Sequence, residues 1–109
     1  MLFRGGRREK DMNIIKAKKG STLSVALQGR LNTATARQLE NEIRPLLDGV
    51  TVLIWDLAEL EYMSAAGLRL LRAAQKVMDT QGKMLVTNAN EAVLELFEIT
   101  GFTSILTLE

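Results

Sequence analysis

The sequence predicts a small mixed α/β domain, a sheet of about five strands with helices packed against it. Three observations carry this. Leu23, Val25 and Leu27 alternate with Ser24, Ala26 and Gln28, the period of two of a strand with one covered face. Val50–Leu57, VTVLIWDL, is nearly all apolar, as a central strand buried on both faces would be. Between and after these segments apolar residues recur at helical spacing. Strands that alternate with helices imply parallel neighbours joined by right-handed crossovers.

Taken in order, Ile14–Lys18 reads as a strand, and Lys18–Ser21, KKGS, supplies a glycine turn that pairs it with Leu23–Gln28 as a hairpin. Gly29–Thr33, GRLNT, breaks the second strand. Asn32 or Thr33 caps the first helix, since a short side-chain oxygen can accept a free N–H of the first turn. Leu39, Ile43, Leu46 and Leu47 form its apolar stripe. Pro45 has no N–H and crowds the preceding turn, so that helix kinks or ends nearby, and Asp48 and Gly49 close it.

After the central strand comes Glu59–Leu71, ELEYMSAAGLRLL, a crossing into a leucine-rich helix through small residues with a single hydroxyl, Ser64. That helix carries Leu70, Leu71, Ala74, Val77 and Met78 on one side and Arg69, Arg72, Gln75, Lys76 and Asp79 on the other. Gly82 stops it. Met84–Thr87 is a strand. Asn88 or Asn90 caps a last helix holding Val93, Leu94, Phe97 and Glu98. Gly101 ends it, and Ser104–Leu108 is a final strand.

The totals narrow the function classes. A chain of 109 residues suits one domain. It has no cysteine, which removes disulfides, thiolate catalysis and cysteine metal sites. It has no histidine, so the commonest general base near neutral pH and the commonest metal ligand are both missing. A net charge of +1 gives no general pull toward nucleic acid or acidic lipid. No apolar run approaches the roughly 20 residues of a membrane helix, so direct membrane insertion is not expected. Residues 1–11, MLFRGGRREKD, carry Arg4, Arg7, Arg8 and Lys10 but no apolar signal core. They read as a flexible, solvated leader, or alternatively as a small electrostatic contact with an acidic partner, and residues 12–109 as the domain. The cytoplasm is the expected compartment. For an enzyme, Glu59 and Glu61 would have to line a pocket with shifted pKa values. Two exposed glutamates are the simpler reading.

The order of elements and two motifs resemble the STAS domain, the fold of bacterial anti-sigma-factor antagonists. Leu27–Ala36, LQGRLNTATA, is similar to the family's glycine-x-leucine-aspartate turn into its first helix, with Asn32 in place of the usual aspartate. Leu53–Leu71 is similar to the family's strand, following aspartate, aromatic–hydrophobic pair and small-residue turn. The resemblance implies a partner-switching module without cofactor. Its partner would be an anti-sigma factor that is also a serine kinase, and a homo-oligomer is compatible with it. The implied contact residues are Asn32, Thr33, Met63, Ser64, Ala65, Ala66, Gly67 and Arg69. Other family members belong to lipid-transport ABC complexes or act as structural scaffold subunits, and these are the alternative.

One departure matters. Aligned on Gly67, the turn reads Ser-Ala-Ala-Gly, so the family's phosphoacceptor position falls on Ala65, which has no hydroxyl. Ser64 then has two readings, helix N-cap and substitute phosphoacceptor, and Thr33 or Thr35 are further substitutes. Alternatively Ala65 locks the module in its binding-competent form, unswitched at this turn, or the chain is a structural subunit of a larger assembly. Gly67 either permits close approach of a partner or fits α-helix against sheet. Asp56 reads as a ligand of nearby backbone N–H groups, and Trp55 as core or as cover over the sheet edge.

Overall fold

A computed structural model describes residues 12–109, and the predicted basic leader over residues 1–11 lies outside the described residues. The chain runs β1 (Met12–Lys19), β2 (Thr22–Leu31), α1 (Thr33–Ile43), β3 (Val52–Met63), α2 (Ala65–Gln81), β4 (Lys83–Thr87) and α3 (Glu91–Ile99). Short 3₁₀ turns occupy Arg44–Leu46 and Phe102–Ser104. One sheet orders its strands β1-β2-β3-β4. The β1–β2 pair is antiparallel, closed by a tight turn in which Gly20 takes φ +61°. The β2–β3 and β3–β4 pairs are parallel.

Both crossovers step the same way across the sheet, so right-handed connections set α1 and α2 on one face. On that face Leu23, Val25, Leu27, Leu53, Trp55, Leu57, Met84 and Val86 are buried, beneath Leu39, Ile43, Leu71, Ala74 and Met78. Val93 and Phe97 of α3 join the same core. The other face corrects an expectation. Val50–Leu57 is not a strand buried on both sides: Val52 and Ile54 are half-buried, as are their cross-strand neighbours Ser24 and Leu85. Among the described residues α1 and α2 pack on the opposite face, so no helix layer covers this one.

Two further expectations change. The break foreseen at Gly29 does not occur; instead β3 bulges twice opposite this stretch of β2. β2 continues to Leu31, its register with β3 slips between Ala26 and Gln28 and again between Gly29 and Arg30, and Gly29 takes φ +110°. The predicted last strand, Ser104–Leu108, shrinks to one rung. Gly101 at φ +79° starts a tight turn, and Ile105 and Leu106 both donate to the Phe102 carbonyl at 2.9 Å. A single parallel bridge, Leu108 with Val86, then joins the sheet: the Thr107 carbonyl accepts the Val86 N–H at 2.9 Å and the Glu109 N–H donates to the Val86 carbonyl at 2.8 Å. The sheet therefore has four strands and one added bridge.

The helix boundaries follow local chemistry. Asn32 caps α1: its side-chain oxygen accepts the Thr35 N–H at 3.0 Å, while the Thr35 hydroxyl oxygen accepts the Asn32 N–H at 2.8 Å. Pro45 brings the helix to an end at Ile43, with a 3₁₀ turn beyond. Asn90 caps α3 by accepting the Val93 N–H at 2.9 Å, and its amide nitrogen donates to the Leu60 carbonyl at 2.8 Å, tying α3 to β3. Gln81 donates to the Leu47 and Val50 carbonyls at 2.9 and 2.7 Å, which fixes the end of α2 to the loop before β3. Lys16 donates to Glu42 at 2.9 Å across β1 and α1, and this holds the Glu42 carboxyl below its ordinary range. Gly82 then closes α2 where the Thr51 carbonyl approaches so near that an added Cβ would lie 1.9 Å from its oxygen. No helix of the described residues is long and apolar enough to cross a membrane.

Two stability outcomes follow. Gly82→Ala drives a methyl into backbone that cannot swing aside, so it is expected to destabilise by about 2–4 kcal/mol in urea unfolding. Asn32→Ala removes the α1 cap and is expected to cost about 1–2 kcal/mol, a fall in Tm of about 4–8 °C per kcal/mol in calorimetry.

Candidate functional site

Parallel pairing brings the two predicted motifs together. Leu31 and Met63, the last residues of β2 and β3, stand opposite each other in register. The Leu31 carbonyl accepts the Ser64 N–H at 2.8 Å, bonding the exit of β3 to the exit of β2. The N-termini of α1 and α2 therefore start side by side at the carboxyl edge of the sheet, where open α/β sheets usually bind their ligands.

The predicted contact residues separate into layers. Thr33, Ala65 and Arg69 are exposed. Asn32, Ser64 and Ala66 are half-buried. Met63 and Gly67 are buried beneath them. Gly67 fits α2 against the sheet end: a Cβ there would lie 2.8 Å from side-chain carbons of both Leu31 and Met63. Of its two readings, the packing one matches the geometry, since buried Gly67 offers no surface to a partner.

Ser64 holds the N-cap position of α2 with extended backbone, φ −93° and ψ 177°, and its carbonyl accepts the Leu68 N–H at 3.1 Å. Its hydroxyl does not cap. Ser64 Oγ is enclosed, without a hydrogen-bond partner among the described residues. The capping expectation thus holds for the backbone and fails for the side chain. Burying a hydroxyl unpaired costs free energy, whereas a cap would have gained it. Thr35 differs: it is buried, and its hydroxyl donates to the Arg30 carbonyl at 2.7 Å while serving the α1 cap.

Other candidates settle into supporting roles. Asp56 Oδ1 accepts the Ala58 N–H and the Asn88 amide, each at 3.1 Å, bracing the β3 bulge against the end of β4. Trp55 is core, fully enclosed, with its indole N–H unpaired among the described residues. Glu59 and Glu61 are exposed on the distal part of β3. Among the described residues no group of three or more acidic side chains gathers as a metal site would require.

Sequence reasoning missed the groove beside the turn. Thr33, Ala36 and Arg37 of α1 face Ala66, Arg69 and Ala73 of α2 across a cleft of about 310 Å³. Arg37 lies one helical turn beyond Thr33, a spacing that could have flagged it. It also missed Arg30 stacked on Tyr62, 4.5 Å from the ring centroid, on the strand pair leading into the turn.

The state of the Ser64 hydroxyl is directly measurable. Ser64→Ala is expected to leave stability unchanged or raise it by up to about 1 kcal/mol, because it removes an unpaired buried polar atom and no cap bond. A loss of about 1 kcal/mol on chemical denaturation would instead reveal a working cap.

The STAS domain family model matches residues 13–109. BtrV of Bordetella bronchiseptica, assigned as an anti-sigma factor antagonist, is 38% identical over 96 residues, spanning 86% of this chain and 83% of that protein. The crystal structure of an anti-sigma factor antagonist from Mycobacterium paratuberculosis superposes with a TM-score of 0.81 at 21% identity, covering 89% of this chain and 84% of that one. The anti-sigma factor antagonist SpoIIAA in its unphosphorylated form gives a TM-score of 0.78 at 19% identity, covering 89% of this chain and 88% of that one, and the Bacillus cell fate determinant SpoIIAA in the phosphorylated form a TM-score of 0.71 at 18%, covering 89% and 91%. The architecture and the two juxtaposed motifs agree with these matches, and the chain belongs to the STAS domain family.

Proposed function

We propose that this chain is a protein-binding regulatory module of the anti-sigma-factor-antagonist type, acting in the cytoplasm on an anti-sigma factor that is also a serine kinase. The observation that carries the reading is the surface formed where α1 and α2 begin together. Thr33, Ala65 and Arg69 are exposed there, and Ala66 and Asn32 are partly so. Small side chains keep that surface low, so a partner's backbone can approach closely, and Arg69 gives it one polar anchor. Met63 and Gly67 contribute by seating the first turn of α2 on Leu31. The kinship with BtrV, an assigned anti-sigma factor antagonist, supports the same partner class. SpoIIAA is known in both unphosphorylated and phosphorylated forms, which supports control by phosphate in the fold.

Control at this turn is altered, because Ala65 stands where the family carries its acceptor. Phosphorylation of Ser64 would require its side chain first to leave its enclosed position. Unmodified, the module rests in its docking form, and the sigma factor stays free while the anti-sigma factor is held.

The test is a titration of the purified chain with the anti-sigma factor of its own organism, followed by calorimetry. Specific binding is expected. Ala65→Glu should weaken it at least about tenfold with little change in Tm, since the position is exposed and a charge there meets the partner directly. Binding that is indifferent to Ala65→Glu would overturn this surface. Binding to a transporter ATPase subunit in place of the anti-sigma factor would move the chain to the lipid-transport class.

A further inference from the structure

We infer that Thr33 is the site at which this module is phosphorylated, with Arg37 and Arg69 holding the phosphate in the cleft between α1 and α2. The inference rests on the partner-switching reading and names the regulation of that same surface. A kinase needs a hydroxyl it can reach. Around the starts of α1 and α2 the serine and threonine hydroxyls are Thr33, Thr35 and Ser64, and Ala65 carries none; Thr87, at the end of β4, is half-buried and donates to the Trp55 carbonyl at 3.0 Å. Thr35 is buried, and its oxygen already serves the Asn32 N–H and the Arg30 carbonyl. Ser64 Oγ is enclosed. Thr33 is exposed and takes no part in the α1 cap.

The surroundings of Thr33 suit the modified form. Thr33, Arg37 and Arg69 line one cleft of about 310 Å³. Neither arginine forms an ion pair among the described residues, while Glu40, the acidic group lining the same cleft, is paired with Arg44. Guanidinium groups recognise phosphate through parallel N–H donors. In the transfer, the γ-phosphoryl group of a nucleoside triphosphate moves to Thr33 Oγ1. An O–P bond forms and the β–γ bridging bond breaks. Nucleoside diphosphate leaves, and the hydroxyl proton passes to a base on the kinase. The product adds about −1.5 to −2 charge beside exposed Ala65 and Arg69 and neutralises the polar anchor of the docking surface.

The experiment has two arms. In the first, the full chain is incubated with the anti-sigma factor and Mg-ATP, and the phosphosite is mapped by mass spectrometry. Phosphate on Thr33, lost in Thr33→Val and retained in Thr33→Ser, is the expected result. Phosphate on Ser64 would overturn the inference and leave the partner reading intact. The second arm needs no partner. Phosphothreonine is installed at position 33 by genetic code expansion, and the phosphate is titrated by phosphorus NMR. Its second pKa, ordinarily about 6, is expected to fall by about half a unit or more and to recover in Arg37→Gln and Arg69→Gln. An ordinary pKa in all three proteins would overturn the cleft assignment even if the anti-sigma factor binds.

Discussion

The bond from the Ser64 N–H to the Leu31 carbonyl is the constraint on which the site depends. It extends the parallel pairing of β2 and β3 one step past their last residues. Two helix starts that lie more than thirty positions apart in the chain, at Thr33 and Ala65, are thereby locked at one edge. Everything nearby reinforces that lock. The Asn32–Thr35 cap fixes the exit of β2, and Gly67 lets α2 descend onto Leu31 and Met63. A docking surface made of small side chains has little energy of its own, so its shape must come from the backbone beneath it.

Where local chemistry decides, the sequence was readable. Glycine turns, the asparagine caps at Asn32 and Asn90, and the stop at Pro45 all act within a few residues, and each appears where its chemistry demands. Where tertiary context decides, reading failed in characteristic ways. Val52 and Ile54 look like the second buried face of a central strand, but whether a helix covers that face depends on crossover direction, which no hydropathy pattern encodes. The last strand failed because a 3₁₀ turn after Gly101 used up residues that the pattern assigned to pairing.

The site was legible as two motifs but not as a surface. Residue type identified Asn32, Ser64 and Gly67; only the fold separates those that face outward from those that support. Ser64 is instructive. A serine before a helix invites a capping role, yet here the backbone occupies the cap position and the hydroxyl goes unpaired. Arg37 escaped notice because its significance comes from α2 lying across the cleft; its own segment offers only the one-turn spacing from Thr33.

The one tryptophan of the chain, Trp55, lies fully enclosed at the centre of β3 beneath α1 and α2. The domain therefore carries an optical probe insulated from its own working edge. Its emission reports on the packing of the helix layer over β3, so a change of colour on adding a partner would mean that binding at the edge had reached that layer.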